Sequence, residues 1–136
     1  MPRAQLSEAH ISIRLFWPYA RLVGNYPQGL PTLSKAGIGP ADYASPDTRI
    51  PHRVGVELLN AAVQSSGDPT LGLRAGELIQ PGDFDALEFA ARSSANLRES
   101  IHCLARHARL MHDAADMTLV ENEDYGVIRY RVTDAT

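Results

Sequence analysis

Two side chains that commonly bind metals, Cys103 and His107, lie four positions apart in the sequence. On a helix this spacing places both on one face, where a thiolate and an imidazole can hold a metal ion or a haem iron. Met111 follows four positions later as a weaker ligand. No further ligand motif accompanies them. The simpler interpretation is that Cys103 and His107 lie at the edge of a buried stripe and bind no metal. The sequence predicts no metal and no cofactor, with a Cys103/His107 haem or metal sensor as the alternative.

The segment GDPTLGLRAGE, residues 67–77, has the glycine content of a phosphate-binding loop. A P-loop requires Lys and Ser or Thr after its second glycine, and a dinucleotide loop directly follows a strand. Here Gly72 and Gly76 are followed by Leu and Glu, and a helical pattern precedes the segment. We interpret it instead as a helix end at Gly67 and a new helix capped by Asp68, whose two later glycines form a smooth contact strip.

Residues that could support catalysis are few. The chain has no G-x-S-x-G motif, and its single cysteine lies within a predicted helix, without the electropositive setting that activates a thiol. Asp83, Asp85 and the acidic residues of segment 121–124 lie in predicted turns, where solvated charges are expected. The sequence therefore predicts no enzyme activity.

Aromatic residues gather near the N-terminus and combine apolar area with polar groups, as ligand-contacting residues often do. They are Phe16, Trp17, Tyr19, Tyr26 and Tyr43. We predict that Trp17, Tyr19 and Tyr26 contact an effector, with packing in the core as the competing interpretation.

The elements that would position these residues follow from apolar residues at helical spacing. The first predicted helix begins near Trp17 and ends at Gly24. The others cover residues 51–66, a segment that begins after Asp68, residues 84–92 and residues 96–112. The extended connector at residues 45–51 is predicted from its two prolines. A short turn is also predicted at residues 40–43.

The helix at residues 96–112 has the clearest pattern. Asn96 and Glu99 have the spacing of a capping box. One face is predicted to be buried and comprises Leu97, Ile101, Leu104, Ala108 and Met111. The opposite face carries Arg98, Glu99, His102, Arg106 and Arg109 and is predicted to be in water.

After Asp116 the apolar period changes from 3.6 to 2, which predicts a β-hairpin near residues 116–133. The fold class is therefore α+β, with a mainly helical N-terminal part followed by a small antiparallel β-sheet. A two-stranded hairpin is marginal by itself, so a helix or further strands should cover its apolar face.

Composition limits the class of protein. The chain has 136 residues, of which 44% are hydrophobic and 21% charged, so we expect one globular domain over residues 1–136. The net charge is −3 and the arginines are scattered, which argues against DNA binding by this segment. No apolar run is long enough for a membrane helix, and one cysteine fits a cytoplasmic location.

Several segments occur in an order that resembles one family. They are residues 36–38 (AGI), 47–51 (DTRIP), 67–69 with 71–74 and Gly76, and 94–104 (SANLRESIHCL). Together they resemble the N-terminal, arabinose-binding-like effector domain of AraC/XylS-type bacterial transcription regulators, over residues 12–133.

The resemblance implies a sensor that binds a small-molecule or lipid-like effector and forms a homodimer. It also implies that DNA is bound only through a C-terminal pair of helix-turn-helix motifs. Because no such motifs follow the hairpin, we expect this chain to be a truncated form of the regulator. A stand-alone dimerisation module that pairs through the hairpin edge is a third possibility.

Overall fold

The computed structural model describes residues 8–23 and 34–133. Its helices are α1 (Trp17–Val23), α2 (Pro40–Ala44), α3 (His52–Ser66), α4 (Leu71–Glu77), α5 (Asp85–Arg92) and α6 (Leu97–His107), with 3₁₀ turns at Ile13–Phe16 and Ala108–Leu110. Its strands are β1 (His10–Ser12), β2 (Arg49–Pro51), β3 (Ala115–Glu121) and β4 (Gly126–Val132). The predicted α+β class is confirmed.

The N-terminal half also contains a two-stranded sheet that periodicity did not predict. β1 pairs antiparallel with β2, so that Ile11 lies opposite Ile50 inside the expected extended connector. Three residues per strand are too few to establish a period. Around this sheet lies the main hydrophobic core, whose buried members are Ile11, Ile13, Phe16, Ile38, Ile50, Val54 and Leu58.

Helix α3 crosses the core at Gly55. A Cβ atom at that position would lie 2.9 Å from Phe16 Cζ, so only glycine permits this approach. The helix ends at Gly67, which has a φ of 64° and closes the last turn through its N–H to the Val63 carbonyl. The predicted end of this helix is confirmed.

The next helix begins later than the sequence suggested. α4 starts at Leu71, and Asp68 is not its N-cap. The Asp68 carboxylate instead accepts hydrogen bonds from Thr70, at 2.8 Å from its backbone N–H and at 2.6 Å from its hydroxyl. These short-range bonds stabilise a turn in place of the first helical turn.

Asn96 caps helix α6 as predicted, because its side chain accepts the Glu99 N–H at 2.9 Å, but the Glu99 carboxylate accepts the Ala95 N–H at 3.3 Å, so only half of the capping box forms. The expectation that Leu97 is buried is wrong, since it is 75% exposed. The helix also ends at His107 and not at His112. His112 instead forms an isolated antiparallel β-bridge with Ile11 of the first sheet.

The predicted hairpin is confirmed as β3–β4, with Met117 opposite Tyr130 and Leu119 opposite Ile128. Glu121, on the same face as these residues, is 2.7 Å from Arg98 of α6. This face therefore packs on α6 through β3, whereas all of β4 is exposed.

Candidate functional site

A groove of about 360 Å³ lies between α5, α6 and the first 3₁₀ turn. Its hydrocarbon lining comprises Leu15, Phe84, Leu87, Ala91, Leu104 and Met111. The spacing of Leu87 and Ala91 places both on one side of α5, and Leu104 of α6 lies across from them. Cavities of this size and lining are typical of small-molecule sites.

Phe84 joins this groove to two smaller cavities. One, of about 270 Å³, has a mixed lining whose polar members include Ser12, Arg14 and Arg49. The other, of about 200 Å³, lies between α1 and α4 and includes Tyr19 and Gly76. Since Phe84 lines all three, movement of its ring would change every one of them.

Phe84 belongs to a tight turn, residues 82–85, that has two positive φ angles. Gly82 has a φ of 94° and Asp85 a φ of 46°, a left-handed conformation that non-glycine residues adopt infrequently. Strained backbone of this kind often occurs at functional sites and persists only where surrounding contacts hold it.

Arg14, which lies in the first 3₁₀ turn, stabilises the turn at residues 82–85. Its guanidinium donates to the main-chain oxygens of Gly82 at 3.2 Å and Asp83 at 3.0 Å, and it lies 3.3 Å from the Asp85 carboxylate. It also donates to the Pro46 carbonyl at 3.1 Å. Nearly every hydrogen-bond donor of the Arg14 guanidinium thus has a partner, which allows this charged side chain to be buried.

Arg21 of α1 holds the same turn from a second direction. It makes two hydrogen bonds of 2.6 Å to the Asp83 carboxylate, and Asp83 is only 5% exposed. The hydrogen bonds from Arg21 are the main cause of a lowered pKa for Asp83, and burial opposes them. The prediction that Asp83 is a solvated turn residue is wrong, whereas the Asp85 side chain is 67% exposed.

The three aromatic residues predicted to contact an effector occupy different places. Tyr19 lines the cavity between α1 and α4, where a Cβ on Gly72 would lie 3.4 Å from the Tyr19 hydroxyl. This is an ordinary contact distance, and a Cβ on Gly76 would have no neighbour within 4 Å, so the predicted close approach to a strip of both glycines is not seen. Trp17 packs against the core, and its indole N–H donates to the Tyr43 carbonyl at 3.1 Å. Tyr26 lies outside the described residues.

Cys103 and His107 lie on one side of α6, with the sulfur and His107 Nδ1 3.9 Å apart. His107 Nδ1 is also 3.0 Å from the Cys103 carbonyl, which can only accept a hydrogen bond, so this nitrogen carries the proton. Within residues 8–23 and 34–133, no group of three His, Cys, Asp or Glu residues has a metal-binding arrangement.

Comparison with known families decides the class of protein. Residues 29–136, more than three quarters of the chain, match the family described as the arabinose-binding domain of AraC transcription regulators, N-terminal part. The chain belongs to this AraC-type family. No curated protein matches the sequence.

Membership in the AraC-type family makes this a ligand-sensing regulatory domain, and the family is not one of enzymes. Among the described residues, no helix of the AraC-type domain is long and apolar enough to cross a membrane.

Sequence reasoning missed Arg14, Arg21 and Phe84 as parts of the site in this AraC-type domain. Their contacts join positions more than sixty residues apart, as between Arg21 and Asp83, and no local pattern marks such a pair. A weak signal was available for Arg14, because an arginine within the apolar run of residues 11–17 requires buried partners.

Proposed function

We propose that this domain senses a small-molecule or lipid-like effector that binds in the groove between α5 and α6. The groove itself is the observation that supports this site, because it combines an apolar lining with a volume of about 360 Å³. Family membership supplies the sensing role.

The proposed response passes through the turn at residues 82–85. An effector that contacts Phe84 would favour one arrangement of this turn, which Arg14 and Arg21 connect to the N-terminal core. Such a bias regulates a protein only if the two arrangements bind the effector with different affinities. In the bacterial cytoplasm the signal would reach DNA through a C-terminal helix-turn-helix domain of the regulator, outside the single domain proposed for this chain.

Trp17 and Tyr19 remain proposed effector contacts, together with Tyr26. Tyr19 has the better support, because its cavity shares Leu15 and Phe84 with the groove. Trp17 is the sole tryptophan of the chain, so its emission reports on the first 3₁₀ turn and α1.

A melting experiment tests the groove. At 100 times its dissociation constant, an effector should raise the melting temperature of wild type by about 10 °C. Ala91→Phe, which fills the groove, should abolish the shift, and Ala90→Phe, at the exposed neighbouring position, should preserve it. Trp17 emission is recorded in the same samples. Equal shifts in both variants would exclude the groove, and unchanged emission at saturation would exclude Trp17 as a contact.

We also propose that the domain forms a homodimer through β4. Either the hydrogen-bonding edge of β4 or its apolar face could form the interface. Pairing of two β4 edges centred on Tyr130 would place Arg129 opposite Arg131 of the second copy, which is unfavourable. The apolar face, with Ile128 51% and Tyr130 54% exposed, carries no such repulsion. By light scattering, Tyr130→Ser should lower the average mass and Val132→Pro should not; the reverse result would favour the edge.

A further inference from the structure

The groove has few polar groups in its described lining, namely Glu88, Arg92 and Ser100. Glu88 and Arg92 form a 2.8 Å ion pair at its rim. The Glu88 carboxylate also accepts the Gly82 N–H at 2.9 Å. Arg92 uses only its Nε in the pair with Glu88 and its side chain is 64% exposed, so in the described lining its terminal amino groups and the Ser100 hydroxyl remain able to hydrogen-bond the polar end of a ligand.

This lining discriminates between classes of ligand. A sugar brings several hydroxyls, and each one that leaves water without a new partner weakens binding by roughly tenfold. A hydrocarbon group loses no hydrogen bonds and gains about fourfold in affinity for each methylene buried. The groove therefore favours hydrocarbon and disfavours carbohydrate, although arabinose gives the family its name.

The dimensions of the groove fit a small molecule. A volume of about 360 Å³ lies within the range of small-molecule pockets.

We infer that the effector is a hydrocarbon-rich molecule whose apolar part lies against Phe84, Leu87 and Leu104, with any polar end directed out of the groove. This inference rests on the proposed function, because it assigns a chemical class to the ligand of the same site. Acyl chains and aromatic hydrocarbons share this chemistry.

Displacement of a fluorescent apolar probe, N-phenyl-1-naphthylamine, from the full chain tests the inference. Across the series from n-hexanol to n-decanol, the competing affinity should rise about fourfold per methylene until the groove is filled. L-arabinose should not compete at any concentration used. Naphthalene is tested as a second competitor. Tighter binding of naphthalene than of the best alcohol would indicate an aromatic ligand, and weaker binding would indicate an acyl chain.

Ala91→Phe should weaken the probe and the alcohols at least tenfold, and Ala90→Phe should change neither. If circular dichroism shows that Ala91→Phe is unfolded, Ser100→Phe blocks the groove from α6 instead. A flat alcohol series, with a polar metabolite competing in wild type but not in the blocked variant, would overturn the hydrocarbon class and leave the proposed site intact. Probe binding equal in blocked and wild-type protein, or accompanied by a doubling of mass in light scattering, would overturn both.

Discussion

Replacing Arg21 with methionine should lower the free energy of unfolding by about 2 kcal/mol, because Asp83 would stay buried without its cation. Breaking a fully buried ion pair costs about 3–5 kcal/mol, and the 29% exposure of the Arg21 side chain places this pair below that range. Methionine preserves most of the apolar stem, so the change reports the lost charge and hydrogen bonds. Urea unfolding followed by circular dichroism measures the difference.

A matched control uses the ion pair between Arg74 and Asp68, which has a similar distance of 2.8 Å on the surface. Arg74→Met should leave the urea midpoint almost unchanged, because exposed pairs contribute little. In the Arg21→Met background, Asp83→Asn should recover part of the stability, since the uncompensated charge is removed. If Arg21→Met unfolds at the wild-type midpoint, the Arg21–Asp83 contact does not contribute to stability in solution.

The Arg21–Asp83 pair also predicts a pH dependence with a definite sign. The pKa of Asp83 is lower in the folded protein than its ordinary value, so the folded state favours the ionised form. The stabilisation is therefore complete above the unfolded pKa of about 3.9 and is lost as the pH falls through the lower folded value. In Arg21→Met, burial without the cation raises the pKa of Asp83, so the difference between wild type and variant should decrease from that raised pKa down to the lowered pKa of wild type.

Replacing His112 with alanine should lower the free energy of unfolding by about 2–3 kcal/mol. His112 is 3% exposed, and its Nδ1 accepts the Ala114 N–H at 3.1 Å, a donor that would be left without a partner. Its Nε2 lies 2.8 Å from Nδ1 of His52, where α3 begins. His102→Ala on the exposed face of α6 is the control and should have little effect. A similar loss in both variants would contradict a specific role for His112.

The ring of His112 must be neutral for this arrangement. Because His112 Nδ1 accepts a hydrogen bond, the ring carries its proton on Nε2 and donates to His52 Nδ1. A second proton on His112 would have to bind Nδ1, which already accepts the Ala114 N–H. Arg49 and Asp113, paired at 2.6 Å, are the other charges near His112.

The pKa of His112 is accordingly lowered, first by burial and then by His52, while Asp113 acts in the opposite direction. Stability should be complete above the unfolded pKa of about 6.5 and should decrease as the pH falls below it. His112→Asn keeps an acceptor for the Ala114 N–H but does not titrate. Unfolding free energies at pH 7 and pH 5 should therefore differ less in this variant than in wild type, and an equal difference would assign the effect to other groups.

Prediction from the sequence succeeded where a few neighbouring residues determine the outcome. The cap at Asn96 depends on a residue three positions away, and the end of α3 depends on glycine at position 67. The hairpin register follows from alternating apolar residues on both strands. Each feature involves a short segment whose pattern is unchanged by distant parts of the chain.

Prediction failed where distant residues changed the environment of a local pattern. Asp83 lies in a turn, as expected, yet Arg21 makes it a buried anion. Leu97 has the correct helical phase for burial, but it lies in the first turn of α6, where no described element covers it. The helix pattern that continues to position 112 ends early because His112 pairs with Ile11 in the first sheet.

The sequence by itself determined the helices, the hairpin and the family, because capping, periodicity and the order of short motifs are all encoded in neighbouring residues. Only the tertiary structure decided where a ligand can bind. The groove lies between α5, α6 and the first 3₁₀ turn, and none of these elements contains it alone. Its central residue, Phe84, is held in place by Arg14 and Arg21 across more than sixty positions of chain. A cavity depends on how separate surfaces pack together, and that packing has no short-range pattern in the sequence.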